Sequence, residues 1–321
     1  MRRMMIAAVA ALLAGTAAQA ETFAIQAGHV ITDAAKPARG ASTVIVTDGK
    51  IVRIEDGATA PAGATGLTPK YSEPYAATIG LRNALTTARA GFTTVRDLGG
   101  PPLASIAMRD AIKEGGFPGP RIQVAGPALS IIGGHGDSTV GLAPNLRAAI
   151  EATGEQFWVC TGPLECGKAV RKIASYGVDV IKFHATGGVL DDGKIGLEQH
   201  FTDEEMKAIC DTAHQLGLKV AAHAHGAKGI GAAVRAGVDS IEHGTYADDA
   251  DVALMKARGT YYVGTLMAFS GLQLYLGKGI YTANTEAKAR QTLLVWGKAL
   301  NRAYKAGVPI ALGTDAAVFP H

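Results

Sequence analysis

Short apolar runs rich in β-branched residues alternate along the chain with stretches in which apolar residues recur at helical spacing. Four of the runs, VDVIKF, KVAAH, DSIEH and VPIALGTD, carry a polar residue at or near their end, namely Lys182, His223, His243 and Asp315. Strands that alternate with helices predict a parallel sheet, and repeated closure predicts a (β/α)8 TIM barrel. Because the carboxyl ends of barrel strands meet at one mouth, we expect these four side chains to converge.

The same pattern predicts a barrel that is incomplete. Seven barrel strands can be recognised, one fewer than a closed (β/α)8 barrel needs. The first strand is expected between Ala60 and Tyr71, where the sequence PAGATGLTPKY holds no apolar run. The chain also stops at His321, directly after the last strand. We therefore expect residues 66–321 to form a barrel that lacks its first strand and is truncated at its C-terminal end.

Helix signals are clear in part of this region. The run Thr202-Asp203-Glu204-Glu205 is a strong helix N-terminus. Apolar spacing predicts one long helix over Thr285–Ala306, after a loosely patterned insert from Met267 to Ala283.

Residues 21–65 follow a different pattern, with short strands in which apolar and polar positions alternate. Asp48-Gly49 lies between two such strands and is a strong hairpin signal. This segment therefore predicts a partial β-sandwich domain in front of the barrel.

The first twenty residues, MRRMMIAAVAALLAGTAAQA, combine two arginines, an apolar run too short to span a bilayer, and a small-residue cleavage site at Ala18-Gln19-Ala20. They predict a signal peptide over residues 1–20. The mature protein would then be secreted or periplasmic, with no membrane attachment after cleavage. Export permits disulfides, and Cys160 and Cys166 lie six residues apart in the loop VCTGPLEC, so they are a candidate pair.

Composition excludes two classes of protein. Hydrophobic residues make up 48% of the chain and charged residues 18%, which supports a large buried core and excludes disorder. The net charge of +3 includes the N-terminal arginines, and no basic run or RNA-binding aromatic motif occurs elsewhere. We therefore expect no nucleic-acid partner. The sequence leaves open whether the chain forms a homo-oligomer.

Seven motifs occur in order along the chain: TDGKIVRI, AGFTTVRDLGG, GPALSIIGGHGD, DVIKFHATGGV, VAAHAHG, AGVDSIEHGT and ALGTDA. Together they resemble the amidohydrolase superfamily, in its branch of imidazolonepropionase-like and prolidase-like exported dipeptidases. The resemblance covers nearly everything from Thr22 to His321. It implies one or two zinc ions at the barrel mouth and hydrolysis of amide bonds by a metal-activated hydroxide. The implied substrate is a small peptide-like molecule, a dipeptide or an N-acyl amino acid.

The resemblance implies metal ligands at Lys182, His223, His243 and Asp315, with Asp315 also acting as general acid and base. Lys182 would bind as a carbamate, formed when its neutral amine captures carbon dioxide, and apolar surroundings favour the neutral amine. Two other interpretations of Lys182 stay open, namely a lysine paired with a carboxylate and the Schiff-base lysine of an aldolase-type lyase. Asp315 considered alone could equally cap a turn.

Three further residues, His135, His225 and Tyr246, are candidates for binding the substrate. His135 lies in the glycine-rich loop Gly133–Asp137, which lets the backbone come close to a ligand. Its imidazole could polarise the scissile carbonyl or hold a substrate carboxylate. His225 follows His223 by two residues and faces the same way if the strand continues, while the resemblance assigns the metal to His223.

The chain departs from the family pattern at one point. The first barrel strand normally carries a His-x-His pair, and no such pair occurs before residue 223. Lys182 as a carbamate, His223 and His243 still offer three ligands to one zinc, with a fourth position open for water. Two hypotheses follow: a zinc hydrolase with a reduced site, or a catalytically impaired remnant that at most binds metal.

Overall fold

The computed structural model describes residues 22–27, 42–47, 50–56, 65–66, 73–191 and 196–316. The predicted signal peptide, most of the segment between Ala60 and Tyr71, and the last five residues lie outside these ranges. The chain divides into two compact units, Met1–Tyr71 and Ser72–His321. Within the described ranges, no helix has the length and apolar character needed to cross a membrane.

The first unit contains a four-stranded sheet. Its strands, in the spatial order β3-β2-β1-β4, are β1 (Thr22–Ala27), β2 (Ser42–Thr47), β3 (Lys50–Asp56) and β4 (Thr65–Gly66). The first three strands pair antiparallel, and β4 runs parallel to β1. The strands β2 and β3 flank the predicted hairpin turn at Asp48-Gly49, which itself lies outside the described residues. The described part of the segment in which the first barrel strand was expected is β4, and it belongs to this sheet.

The second unit contains seven parallel strands. They are β5 (Thr94–Asp97), β6 (Arg121–Val124), β7 (Val180–His184), β8 (Lys219–Ala224), β9 (Ser240–His243), β10 (Tyr261–Val263) and β11 (Ile310–Ala311). The last five form a sheet in sequence order, and β5 pairs with β6. Hydrogen bonds from Asp179 N to Val124 O and from Leu129 N to Lys182 O, both 2.8 Å, link the β6 segment to β7.

This arrangement curves so that distant strands face one another. Arg96 on β5 donates hydrogen bonds to Ser240 Oγ (3.2 Å) and to Glu242 Oε1 (3.1 Å) on β9, across the interior. Among the residues that the structure describes, no strand pairs with the outer edge of β5 or of β11. The fold is therefore α/β with an incomplete barrel, which confirms the architecture predicted from the sequence.

Helices cover the outer side of the strands. They are α1 (Glu73–Arg89), α2 (Pro102–Lys113), α3 (Pro144–Thr153), α4 (Pro163–Ser175), α5 (Asp203–Gln215), α6 (Ala227–Ala236), α7 (Asp249–Arg258), α8 (Leu266–Tyr275), α9 (Ala283–Val295) and α10 (Lys298–Ala306). The predicted N-terminus of α5 is a full capping box between Thr202 and Glu205. Glycines in the left-handed conformation end α6, α7 and α10, as is common at helix C-termini.

One helical prediction was wrong, and one helix was not predicted. The expected single helix over Thr285–Ala306 is interrupted between α9 and α10, because Gly297 adopts a φ of 68° that a continuous helix does not allow. The insert from Met267 to Ala283, expected to be loosely patterned, contains most of α8. That helix buries Phe269 and Leu272. Its apolar residues lack a single clear stripe, so helical spacing alone did not reveal it.

The strand register separates the two faces of the sheet. Phe183, Ala222 and Ile241 lie at the same level of β7, β8 and β9 and are fully buried in the main core with the helices. The positions on either side of them, such as Lys182 and His223, therefore face the interior. This alternation positions the polar residues of the site.

Cys160 and Cys166 are joined by a disulfide. Cys160 N donates to Ser130 O, and Ser130 N donates to Trp158 O, both at 3.0 Å. Gly136 N in turn donates to Ser130 Oγ (3.0 Å), and Trp158 Nε1 donates to Gly136 O (3.2 Å). The disulfide-bonded loop therefore braces the glycine-rich loop predicted to contact the substrate.

Candidate metal centre

The strands β7, β8 and β9 bring Lys182, His223 and His243 to one rim of the barrel. Lys182 and His223 occupy inward-facing positions of their strands. His243 does not, because Glu242 holds the inward position of β9, paired in register with His223. The backbone of His243 is left-handed, with a φ of 71°. Its imidazole nevertheless lies in the interior, with its ring centre 4.6 Å from that of His223.

Five imidazoles form one cluster at this rim. The ring of His225 lies 4.8 Å from those of both His223 and His243. The ligand nitrogens of these three histidines lie within 4.8 Å of one another, close enough for a shared metal ion. His135 stacks on His223 at 4.3 Å, and His184 meets the edge of His135 at 4.6 Å. The cluster thus unites predicted ligands with predicted substrate-side histidines.

Neighbouring side chains orient these rings. The hydroxyl of Thr265 lies 2.7 Å from His243 Nδ1, and that of Thr245 lies 2.8 Å from His225 Nδ1. Each contact leaves the other ring nitrogen, Nε2, available as a ligand or hydrogen-bond partner. Such outer partners fix the orientation of the histidine and often its tautomer in metal sites.

Burial keeps the central histidines uncharged. It lowers the pKa of His223 and His243 well below the ordinary value and that of His225 to about 3, and the positive charge of neighbouring imidazoles lowers them further. A neutral imidazole has a free lone pair for a metal. Three neutral and converging imidazoles, two of them buried and that of His243 partly buried, therefore fit a divalent cation.

Lys182 and Asp315 lie close enough to this cluster to interact with it through their charges. Burial lowers the pKa of Lys182, against the effect of the nearby carboxylates of Glu242 and Asp315. Burial raises the pKa of Asp315, against the effect of the Lys182 charge. The charge of Lys182 also lowers the pKa of His243. Charge interactions thus link Lys182 with both Asp315 and His243, and the ring of His243 meets that of His223.

Backbone strain is concentrated at the same rim. In the described ranges, only three residues other than glycine have a positive φ: His243 (71°), Thr265 (42°) and Asp315 (54°). This conformation is unfavourable for β-branched and most other side chains, and it is retained mainly where function requires it. Two of the three are predicted ligands, and the third holds one of them.

The remaining predicted residues surround the cluster. The Nδ1 atom of His135 lies 2.5 Å from Asp191 Oδ1. Tyr246 points toward helix α9, where its hydroxyl lies 3.0 Å from Thr292 Oγ1. Its backbone N–H donates to His225 O at 3.0 Å.

Sequence reasoning missed Thr245, Thr265 and Asp191. The sequence did contain a signal for the threonines. A Gly-Thr dipeptide follows each of the strands β9, β10 and β11, beginning at Gly244, Gly264 and Gly313. No local signal marked Asp191, whose partner His135 lies 56 positions away.

Comparison with known proteins places these features in a family. The model of the Amidohydrolase family matches residues 46–319. Ochratoxinase from Aspergillus niger is 35% identical over 238 residues, which are 71% of this chain and 48% of that protein. The match thus spans about half the length of ochratoxinase and 34% of a second curated relative, from Mycobacterium bovis.

Solved structures share the fold over most of the chain. The crystal structure of a Xaa-Pro dipeptidase with bound methionine in the active site gives a TM-score of 0.72 at 31% identity, and covers 94% of this chain and 81% of that chain. A prolidase complexed with N-methylphosphonate-L-proline gives 0.65 at 26% identity, with 92% and 78% covered. The family match over most of the sequence confirms the resemblance of the motifs, and the chain belongs to the amidohydrolase family.

Proposed function

We propose that this chain is a metal-dependent hydrolase that cleaves the amide bond of dipeptides or N-acyl amino acids. The observation that carries the proposal is the convergence of three neutral imidazoles, with the charge of Lys182 acting on His243 and on Asp315. Members of the family are generally metal-dependent. Prolidase and Xaa-Pro dipeptidase are among the structural relatives, which supports a dipeptide as the substrate.

Zinc is the metal we propose, held by His223, His243, Asp315 and Lys182, with Lys182 as a carbamate. Imidazole nitrogens combined with carboxylate-type oxygens suit zinc. When bound, zinc supplies Lewis-acid chemistry and lowers the pKa of water. His225 stands beside these ligands on the substrate side, with its Nδ1 atom directed at Thr245.

Asp315 is the proposed general base and general acid. Its carboxylate takes a proton from the attacking water and then delivers that proton to the nitrogen of the leaving amine. The left-handed backbone at Asp315, with a φ of 54°, supports this role, because such strained backbone is retained mainly at functional positions.

His135 and Tyr246 are the proposed substrate contacts. With Nδ1 of His135 bound to the Asp191 carboxylate, Nε2 is left to accept or donate toward the substrate. When Nε2 carries a proton, it stabilises negative charge on the oxygen of the scissile carbonyl. The Tyr246 hydroxyl, which lies 3.0 Å from Thr292 Oγ1 on α9, offers a further polar contact.

The location of the protein is inferred from two features. Residues 1–20 have the pattern of a signal peptide, and Cys160 and Cys166 form a disulfide. Disulfides persist in oxidising compartments. We infer export to the periplasm or the cell exterior.

A second candidate is a catalytically impaired remnant that at most binds metal. The observation in its favour is that no His-x-His pair precedes residue 223, so the two ligands expected from the first strand are not supplied there. A Schiff-base lyase acting through Lys182 is disfavoured, because it would leave three converging histidines without a role.

The test is hydrolysis of a panel of dipeptides and N-acyl amino acids by the full chain, with chelator, with restored zinc, and with Asp315→Asn. We expect hydrolysis that stops with chelator, returns with zinc, and falls at least about 100-fold in the variant. Zinc binding without hydrolysis of any substrate would support the remnant. A protein that binds no divalent metal would contradict the hydrolase and point to the remnant.

A further inference from the structure

Helix α9 turns one face toward the barrel mouth. Thr285, Ala289 and Thr292 are its buried residues, and Lys288 lies on the same side at helical spacing. Ala289 packs with Val189 in the loop after β7, and Thr292 meets the Tyr246 hydroxyl at 3.0 Å. Lys288 is therefore held between two contacts that fix α9 against the site.

Among the described residues, the hydrogen-bond partners of the Lys288 ammonium are neutral groups. It donates to the carbonyl oxygens of Asp191 and Gly188, the latter at 3.4 Å. The Asp191 carboxylate is engaged elsewhere, by His135 and by Gly188 N at 2.7 Å. In the parts of the chain that the structure describes, no carboxylate oxygen lies within 4.0 Å of Lys288 Nζ. An ammonium has three donors, so one remains for a further acceptor.

This ammonium lies next to the histidine cluster. A side-chain carbon on Gly188 would stand 2.5 Å from His135 Cε1, so the loop is pressed directly against that ring. The carbonyl oxygen of the preceding residue, Gly187, lies 3.4 Å from His223 Nε2. The positive charge of Lys288 also acts on His225.

The charges at the mouth leave Lys288 as the cation best placed for an anionic substrate group. Arg96 is bound to Glu242, and Lys182 lies among the carboxylates of Glu242, Asp315 and Asp97. Those carboxylates would repel a carboxylate on the substrate unless a cation received it.

We propose that Lys288 binds the free carboxylate of the substrate and so selects amides whose leaving amine is an amino acid. The inference rests on the proposed function, because dipeptides and N-acyl amino acids carry that carboxylate one carbon from the scissile nitrogen. Lys288 is thus a specificity-determining residue on an element outside the barrel strands. Lys288 would bind the carboxylate of the substrate, while His135 would contact the oxygen of the scissile carbonyl.

The test compares an Xaa-Pro dipeptide with its C-terminal amide on the full chain. The wild type should favour the free acid in kcat/KM by about 10- to 100-fold, the range for a hydrogen bond to a charged group. Lys288→Met should raise KM for the acid by a similar factor, with little change in kcat or in the kinetics of the amide. Lys288→Arg should retain part of the preference. Lys305→Met, at an exposed position of α10, is the matched control and should behave as wild type.

Binding of L-proline and L-prolinamide, measured by calorimetry, tests the inference independently of turnover. Proline should bind the wild type about 10- to 100-fold more tightly than prolinamide, and this difference should vanish in Lys288→Met. If Lys288 only tethers the loop after β7, the variant will weaken both ligands equally, which would overturn the inference. Absence of any preference in the wild type would also overturn it. Zinc content, measured on each variant, reports separately on the proposed function.

Discussion

At His243 a single left-handed residue changes which side chains reach the barrel interior. Strand alternation assigns the inward position to Glu242, and that residue does contact Arg96 inside the barrel. The φ of 71° at the next residue allows the imidazole of His243 to reach the same interior. Period-two alternation predicts only one of two adjacent residues on each face, so the sequence pattern alone could not place both.

Thr265 should matter to the metal through His243. Thr265→Val removes the hydroxyl next to His243 Nδ1 while keeping the size and branching of the side chain. We expect zinc affinity to fall about 10- to 100-fold, the usual effect of losing such a partner. Competition titration with a chromophoric chelator measures this change.

Thr245→Val is the matched control, because it removes the equivalent hydroxyl next to His225 Nδ1. Since His225 is proposed to serve the substrate, this variant should lower kcat/KM and leave zinc affinity unchanged. Equal loss of zinc in both variants would show that His225 is itself a ligand.

At the scale of elements, alternating strands and helices were predictable because each parallel strand is a short apolar run between amphipathic helices. Breaks between helices were harder to predict. Apolar spacing indicates one helix over Thr285–Ala306, but Gly297 divides it into two. The pairing of His135 with Asp191 depends on how two loops meet, which local sequence does not encode. The same holds for the hydrogen bonds that join the disulfide-bonded loop to Ser130.

The disulfide should stabilise the fold and the glycine-rich loop together. Replacing both Cys160 and Cys166 by Ser removes a cross-link that closes a short loop, and we expect the free energy of unfolding to fall by about 2 kcal/mol. Because this loop braces the backbone near His135, KM should also rise. Urea unfolding and steady-state kinetics measure the two effects. Cys210→Ser, at the buried free cysteine, controls for loss of a thiol alone.

Asp251, at the N-terminus of helix α7, makes the stability of the fold depend on pH. Its side chain is only 6% exposed and completes the capping box with Asp248, and burial raises its pKa to about 6. Since the folded state holds this proton more tightly than the unfolded state does, stability is lost as pH rises from about 4 to about 6.

Asp251→Asn removes this titration while keeping an oxygen that can accept from Asp248 N. We expect the free energy of unfolding of the variant, relative to that of the wild type, to increase by on the order of 1–2 kcal/mol as the pH rises from 4 to 7. Urea unfolding at each pH measures the difference. Asp211→Asn, at an exposed position of α5, is the control. A difference in the free energy of unfolding between Asp251→Asn and wild type that does not change with pH would contradict this account.

At the scale of the whole molecule, the four proposed ligands come from one part of the incomplete barrel. The five strands β7 to β11 form one continuous sheet, and Lys182, His223, His243 and Asp315 all come from it or from the turn that follows it. The described edge at β11 is exposed, with Leu312 79% accessible. An exposed edge of this kind can pair with another strand, but it lies beside the proposed ligands and not between them.

The central claim is that this rim is a metal centre, and anomalous X-ray scattering from crystals grown with zinc tests it most directly. Data collected on either side of the zinc absorption edge should show a peak at about 2.0–2.1 Å from one ring nitrogen each of His223 and His243. The peak should be absent from crystals of the His223→Ala/His243→Ala variant. A zinc peak bound elsewhere on the chain, with none at these two imidazoles, would contradict the account.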